Sequence, residues 1–201
     1  MADALRKSAA NPAAENDVSR RLYRSRWIGF AIVAILGCLI DLVTKSVVFA
    51  WRGMPPSAPY WVIDNHLGFE TALNPGALFG IGAGMTWVFV TLSLISVAGI
   101  LYWLFGADGW RERVLTYTLA AITAGILGNL YDRLGLWHVA STPEEYKYRV
   151  RDWILFQLPS VPLKIVNPWP NFNLADSWIV CGVAVLLVGS FFARETDTKS
   201  S

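Results

Sequence analysis

The stretch 171–192, "NFNLADSWIVCGVAVLLVGSFF", reads as a membrane-spanning helix that opens with a carboxylate. Leu174, Ala175, Ile179, Val180, Val183 and Leu186 suit a lipid solvent, whereas Asp176 does not. An ionised side chain at mid-bilayer costs about 2.5–3.5 kcal/mol on insertion scales, so an acid inside a span is a functional suspect by default. Local chemistry offers a second reading. Asn173 and Asp176 are spaced to cap the helix, the amide accepting a free backbone N–H and the acid favoured by the positive end of the dipole.

Outward from this stretch the whole chain turns out to be apolar. Of its 201 residues 54% are hydrophobic and 16% charged, with a mean hydropathy of +0.41, which no soluble domain of this size would carry. Three more segments are long enough to cross roughly 30 Å of hydrocarbon: Trp27 to Ala50, Thr86 to Phe105 and Val114 to Leu134. Tryptophans 27, 51, 87, 103 and 110 mark span ends as an interfacial belt should. Arg6, Lys7, Arg20, Arg21, Arg24 and Arg26 precede the first span and place the N-terminus in the cytoplasm. Four crossings return the C-terminus, with Arg194 and Lys199, to the same side. Arg111 and Arg113 sit in the inner loop, while Lys147, Arg149, Arg151 and Lys164 in the loop after span three dilute the bias.

The predicted fold is an all-α membrane protein of four transmembrane helices with a small extracytoplasmic β-rich subdomain. Residues 1–26 read as a disordered basic cytoplasmic N-terminus, 27–193 as the membrane domain and 194–201 as a cytoplasmic tail. Within the domain, 52–84 is a β-rich outer segment, with short strands at Tyr60–Ile63 and Gly68–Leu73 around the turn signal Asp64-Asn65. An outer loop with a polar insertion covers 134–172. The run "AILGC" (34–38) imitates the end of a cleavable signal, but the apolar stretch continues past Cys38 and three more spans follow. Cys38 and Cys181 each sit in an apolar run and read as small hydrophobes rather than a disulfide. No Cys/His cluster has metal-ligand spacing, and no basic run suits nucleic acid.

The polar residues inside the apolar runs carry the functional question. Asp41 and Lys45 are four apart and read as an ion pair on one helix face. In "AGILGNLYDRLG" Asn129 and Asp132 share a face, with Arg133 adjacent and able to hold a carboxylate; a structural network and a site role are both open. Asn74, ahead of the turn residues Pro75 and Gly76, is either a turn former or an amide that holds a peptide. Asp152 precedes the apolar patch Trp153–Phe156, either as a solvated charge on an interfacial segment or as a carboxylate held beside Asp176. Two acids together at an apolar boundary cannot both ionise cheaply, so one keeps a proton, and the pair can act as general base and general acid.

Together the pieces "DLVTK" (41–45), "NPGALFG" (74–80), "GNLYDR" (128–133), "RDWI" (151–154) and "FNLADS" (172–177) resemble one family, lipoprotein signal peptidase or signal peptidase II. The resemblance implies an intramembrane aspartyl endopeptidase of the bacterial cytoplasmic (inner) membrane, its site facing the extracytoplasmic side. Such enzymes remove the signal peptide from prolipoproteins, cutting before a diacylglyceryl-modified cysteine. It further implies Asp152 and Asp176 as the catalytic pair, with Asn74, Gly76, Asn129, Arg133 and Asn173 binding substrate or supporting the site. Asp41, Lys45 and Asp132 would be structural. No metal or organic cofactor is expected; prolipoproteins and membrane lipids are the expected partners, globomycin the expected inhibitor and a monomer the expected state. This sequence departs from the pattern by the polar insertion "ASTPEEYKYRV" (140–150), by Arg151 in place of an apolar residue, by Pro75 for Thr and by Leu78 for Ala.

Two other classes fit these residues less well. A non-enzymatic four-span assembly or transport protein would use its buried charges for packing or proton relay, but a transporter places them near the midplane among broken helices. Here Asp41, Asn74, Asp132, Asp152 and Asp176 all fall toward one outer face. A serine hydrolase has Ser177 beside Asp176, yet neither His66 nor His138 sits in a nucleophile–base motif.

Overall fold

The structure, a computed structural model, describes residues 12–76, 82–159 and 169–198. Arg6, Lys7, Leu78, Lys164 and Lys199, named above, lie outside them. In chain order the elements are helix α1 (Pro12–Arg52), strands β1 (Tyr60–Ile63) and β2 (Leu67–Asn74), helices α2 (Thr86–Leu101) and α3 (Arg113–Arg133), strands β3 (Val150–Phe156) and β4 (Trp169–Phe172), and helix α4 (Leu174–Thr198). Among the described residues, four helices are long and apolar enough to cross a membrane, over Glu15–Arg52, Thr86–Gly106, Arg113–Arg133 and Leu174–Phe191. The four expected spans are therefore present, together with a small antiparallel sheet.

Helix α1 begins well before the expected start at Trp27. Residues 12–26, read from composition as disordered, are helical. A membrane span is already nucleated, so extending it adds one hydrogen bond per residue without a new nucleus. Pro12 opens the helix, where its missing N–H costs nothing, Glu15 suits the first turn, and Arg21 pairs with Asp17 at 2.8 Å. Tyr23 packs edge-on against Phe105 and Trp110 at 5.9 and 5.4 Å, and Trp27 stacks on Phe105 at 4.1 Å. At ~1.5 Å per residue the 41 residues of α1 run roughly 60 Å, about twice the hydrocarbon thickness.

Helix α3 is the central element, packed against the other three. Its small residues make this possible. A Cβ on Gly125 would collide with the Ala175 carbonyl, and one on Gly128 with the Asp41 carboxylate, so both glycines mark close approaches to α4 and α1. The apolar core gathers Phe30 and Ala34 from α1, Leu119, Ala120 and Ile122 from α3, and Leu104 from the wider turn Tyr102–Gly106 that ends α2. Away from these contacts Ile32, Ile35, Leu39, Val43 and Val47 point outward at helical spacing, a face suited to lipid.

The sheet lies at the end of the bundle where α1 and α3 finish and α2 and α4 begin, in the order β1-β2-β3-β4, antiparallel throughout. Trp51 at the end of α1 packs edge-on against Tyr60 and Phe69, seating the sheet on the helix. Strands β1 and β2 match the expected pair closely. Strands β3 and β4 were not foreseen. Val150–Trp153 is buried on successive residues, so it lacks the in–out alternation of a half-buried strand, and β4 contains Pro170, which reads against a strand and is tolerated at this edge position. Phe69 pairs with Ile154 but Ala72 with Asp152, so β2 carries one extra residue opposite Trp153. Such bulges bend a strand and re-aim its side chains.

Candidate active site

The N-terminus of α4 builds half of the site. Asn173 accepts the Asp176 N–H on its Oδ1 at 3.0 Å, and Asp176 Oδ2 accepts the Asn173 N–H at 3.2 Å, a reciprocal cap that satisfies two otherwise free donors. A third donor, Ala175 N–H, goes to Asp41 Oδ1 of α1 at 2.9 Å. The capping reading of Asp176 thus describes one of its oxygens. The other, Oδ1, accepts from Asn129 Nδ2 of α3 at 2.8 Å.

Asp152 arrives from the opposite side, on β3. It is buried, and Asn173 Nδ2 donates to its Oδ1 at 2.6 Å, while the Asn74 side chain also hydrogen-bonds to it. One residue, Asn173, therefore touches both acids, although they are 24 positions apart in the chain (176 − 152). Burial, and next the charge of Asp176, hold the Asp152 carboxyl well above the ordinary carboxylate range; Lys45, Asn173 and Asn74 pull more weakly the other way. Asp152 is thus not a solvated charge on an interfacial segment.

Beneath the two acids lies a buried set of charges. Lys45 Nζ pairs with the Asp41 carboxylate at 2.7 Å and the Asp132 carboxylate at 3.3 Å, and donates to Asn129 Oδ1 at 3.0 Å. Asp132 takes the Arg151 guanidinium on Oδ1, from Nη2 at 2.8 Å and Nε at 3.2 Å, and the Arg151 backbone N–H on Oδ2 at 3.0 Å. Two acids and two bases compensate one another's charge, which buried ions require; among the described residues Asp41 Oδ2 has only the Lys45 ammonium as an ion-pair partner and no further hydrogen bond. Asp132 was expected to have Arg133 as its partner. Neighbours on a helix point about 100° apart, and Asp132 turns to Lys45 and Arg151 instead. Arg133 Nη2 donates to the Gly76 carbonyl at 3.2 Å, and its guanidinium lies over Phe89 at 5.1 Å, within electrostatic reach of Asp176 and Asp152.

Asn74 takes the turn-forming role and adds a contact to an acid. Its Oδ1 accepts Gly76 N–H at 3.0 Å, closing a local turn, while its side chain also reaches Asp152. Ser177 donates its hydroxyl to the Asn173 carbonyl at 3.1 Å, and among the described residues no bond joins it to a histidine. Arg151 is the residue that sequence reasoning passed over: it was noted as a departure, but its partner Asp132 lies 19 positions upstream. A buried aspartate with no cation on its own helix face was the available signal.

Two cavities meet at the acids. One of about 420 Å³ has Asp176, Asn129 and Arg133 in its wall, together with the apolar Phe172, Ile179 and Val180. The other, about 610 Å³, has Asp152 in its wall. Asn74, Pro170 and Asn171 line both. The arrangement offers two carboxyl groups bonded to one residue, Asn173, by its side chain and its backbone N–H, the Asp152 one held toward its neutral form by burial, at a place reached from an apolar and a polar side: the equipment for acid–base hydrolysis of a bond laid between them.

Residues 33–192 match the family model described as signal peptidase (SPase) II. A lipoprotein signal peptidase of Rhodopirellula baltica is 44% identical over 184 residues, 91% of this chain and 80% of the relative. One from Desulfitobacterium hafniense is 36% identical over 175 residues, 87% of this chain and 97% of the relative. A solved bacterial membrane enzyme, determined by the in meso method at 2.3 Å resolution, shares the fold with a TM-score of 0.66 at 23% identity, covering 85% of this chain and 90% of that one.

Proposed function

This chain belongs to the signal peptidase II family, and from that membership we propose that it is an intramembrane aspartyl endopeptidase acting through Asp152 and Asp176. The family's chemistry is removal of signal peptides from prolipoproteins. The finer reading is cleavage on the N-terminal side of the diacylglyceryl-modified cysteine. The observation that carries it is Asn173, bonded at once to both acids.

Asp176 takes a proton from a water held between the acids, and the hydroxyl adds to the scissile carbonyl carbon. Asp152 gives its proton to the carbonyl oxygen, and a tetrahedral diol results. Asp176 then returns its proton to the leaving nitrogen as the C–N bond breaks, while Asp152 recovers a proton from one diol hydroxyl. The products are a signal peptide with a free carboxyl group and a lipidated cysteine with a free amine, and both acids end as they began. Burial of Asp152 supports the acid role, since it keeps the proton where it is needed. N–H donors on both oxygens of Asp176 suit the base.

Asn129 and Asn173 orient the two acids; Arg133, through the Gly76 carbonyl, and Asn74 shape the substrate side. Asp41, Lys45 and Asp132 hold these elements together. The peptidase domain is 27–193, carried in the bacterial inner membrane as a monomer with the sheet, the segments 52–84 and 134–172 and the acids on the extracytoplasmic side. The basic residues before Trp27 support that orientation. Globomycin is the expected inhibitor, and activity should resist metal chelators and serine reagents.

The test is a gel-shift cleavage assay on a diacylglyceryl precursor with wild type and the single variants Asp152→Asn and Asp176→Asn. Each variant should fold and lose about 10²–10⁴-fold in turnover. Near-normal cleavage by either would remove that residue from the pair.

A further inference from the structure

We propose that the 610 Å³ cavity beside Asp152 is the binding site for the polypeptide that follows the scissile bond, and that Arg149 and Glu70 read the charge of its first residues. The inference rests on the assignment of Asp152 and Asp176 as the catalytic pair. A chain laid across those two acids must leave the Asp176 cavity over the rim of Asn74, Pro170 and Asn171, and it enters this second cavity directly.

The linings give the chain a direction. The Asp176 cavity takes Ile179, Val180 and Cys181 from the span in α4, a wall suited to an apolar signal segment. The second cavity takes no residue from any of the four spans: it is built from 55–57, 70–75, Tyr146, Arg149, Asp152 and 170–171. Peptide within it lies outside the apolar layer, where the soluble part of the product belongs.

Its walls carry opposed charges. Glu70 sits at the β2 bulge, and Asn171 Nδ2 donates to both its Oε2 and its backbone carbonyl at 3.1 Å, fixing the carboxylate in the wall. Arg149 comes from the insertion at 140–150. Its guanidinium stacks over Tyr146 at 5.0 Å, and its Nε donates to the Glu145 carbonyl at 3.1 Å. Trp137 Nε1 pins the Arg149 carbonyl at 3.2 Å. Neither charge forms an ion pair among the described residues, and the two terminal nitrogens of Arg149 have no protein acceptor there. Arg149 is the more available of the two, because Asn171 already serves Glu70. The cavity therefore favours an acidic side chain soon after the cysteine.

The experiment uses diacylglyceryl precursors identical through the cysteine, bearing Asp, Ser or Lys at the second to fourth positions of the product, and one ending in cysteine amide. Values of kcat/KM are measured for wild type, Arg149→Gln, Arg149→Glu and Glu70→Gln. Wild type should prefer the Asp over the Lys precursor about five- to tenfold, chiefly through KM. Arg149→Gln should bring the ratio near one, Arg149→Glu should invert it, and Glu70→Gln should enlarge it by weakening the Lys precursor. A ratio unchanged in all variants overturns the subsite. Cleavage of the cysteine amide by wild type, set against its loss in Asp152→Asn, keeps the catalytic pair standing whichever way the charge series falls. If wild type cleaves no precursor, both readings fall.

Discussion

In its proposed role as the acid, Asp152 trades stability for chemistry. Its carboxyl keeps a proton above the ordinary carboxylate range because burial, and then Asp176, oppose its charge. The unfolded chain ionises at the ordinary value, so between that value and the raised one the native state binds the extra proton. Stability then falls as pH rises through this window and stays low above it. Replacing Asp152 by Asn removes the titration while keeping an oxygen for the Asn173 amide. The variant should melt a few degrees higher than wild type at neutral pH, with a flatter dependence of Tm on pH. A lower Tm at neutral pH would show that Asp152 is not held against its charge. If Asp152 is the acid as proposed, the same raised value predicts an alkaline limb for wild-type cleavage: activity should decline as Asp152 loses its proton, a fall read from kcat against pH.

Among the elements, α4 is anchored by a partner from the far end of the sequence, since Ala175 N–H is accepted by Asp41. The same carboxylate holds Lys45, and both side chains are fully buried. Asp41→Asn retains an acceptor for the cap but leaves Lys45 with less countercharge, a loss of about 3–5 kcal/mol when one partner of a buried pair is removed. Yield and melting temperature should drop while turnover per folded molecule stays close to wild type. Abolished turnover in well-folded protein would move Asp41 from scaffold to chemistry. The elements also mark what was legible in advance. The spans follow from hydropathy, the Asp41–Lys45 pair from a separation of four, and the α4 cap from Asn-x-x-Asp spacing, because each is a local signal. Strand β3 and the Arg151–Asp132 bond were not legible, since both depend on a pairing between distant segments and leave no periodic trace. The helical 12–26 segment escaped for a related reason: its order comes from the span behind it and from Tyr23 packing on Phe105 and Trp110, not from its own composition.

Taken whole, the molecule is divided along its length. Aromatic and aliphatic packing fills the end at Phe30 and Leu104, and charge fills the end beneath the sheet. In the proposed topology an even number of spans puts both chain ends on one side, and the basic residues ahead of Trp27 favour the cytoplasm for that side. A reporter that folds only outside the cytoplasm should be active when inserted at Ser141 and silent when fused after Ser201. The opposite pattern would invert the proposed topology and place the acids on the wrong face for an exported precursor.

The bond from Ala175 to Asp41 joins the last helix to the first, with the two partners 134 residues apart. A nascent chain that has delivered three helices to the bilayer has its Lys45 and Asp132 in place but no Asn173 to hold Asp152 and no Asp176 at all. On the proposed assignment of Asp152 and Asp176, cleavage therefore waits for the final helix, and a chain that has delivered only three helices has no acid pair with which to cut.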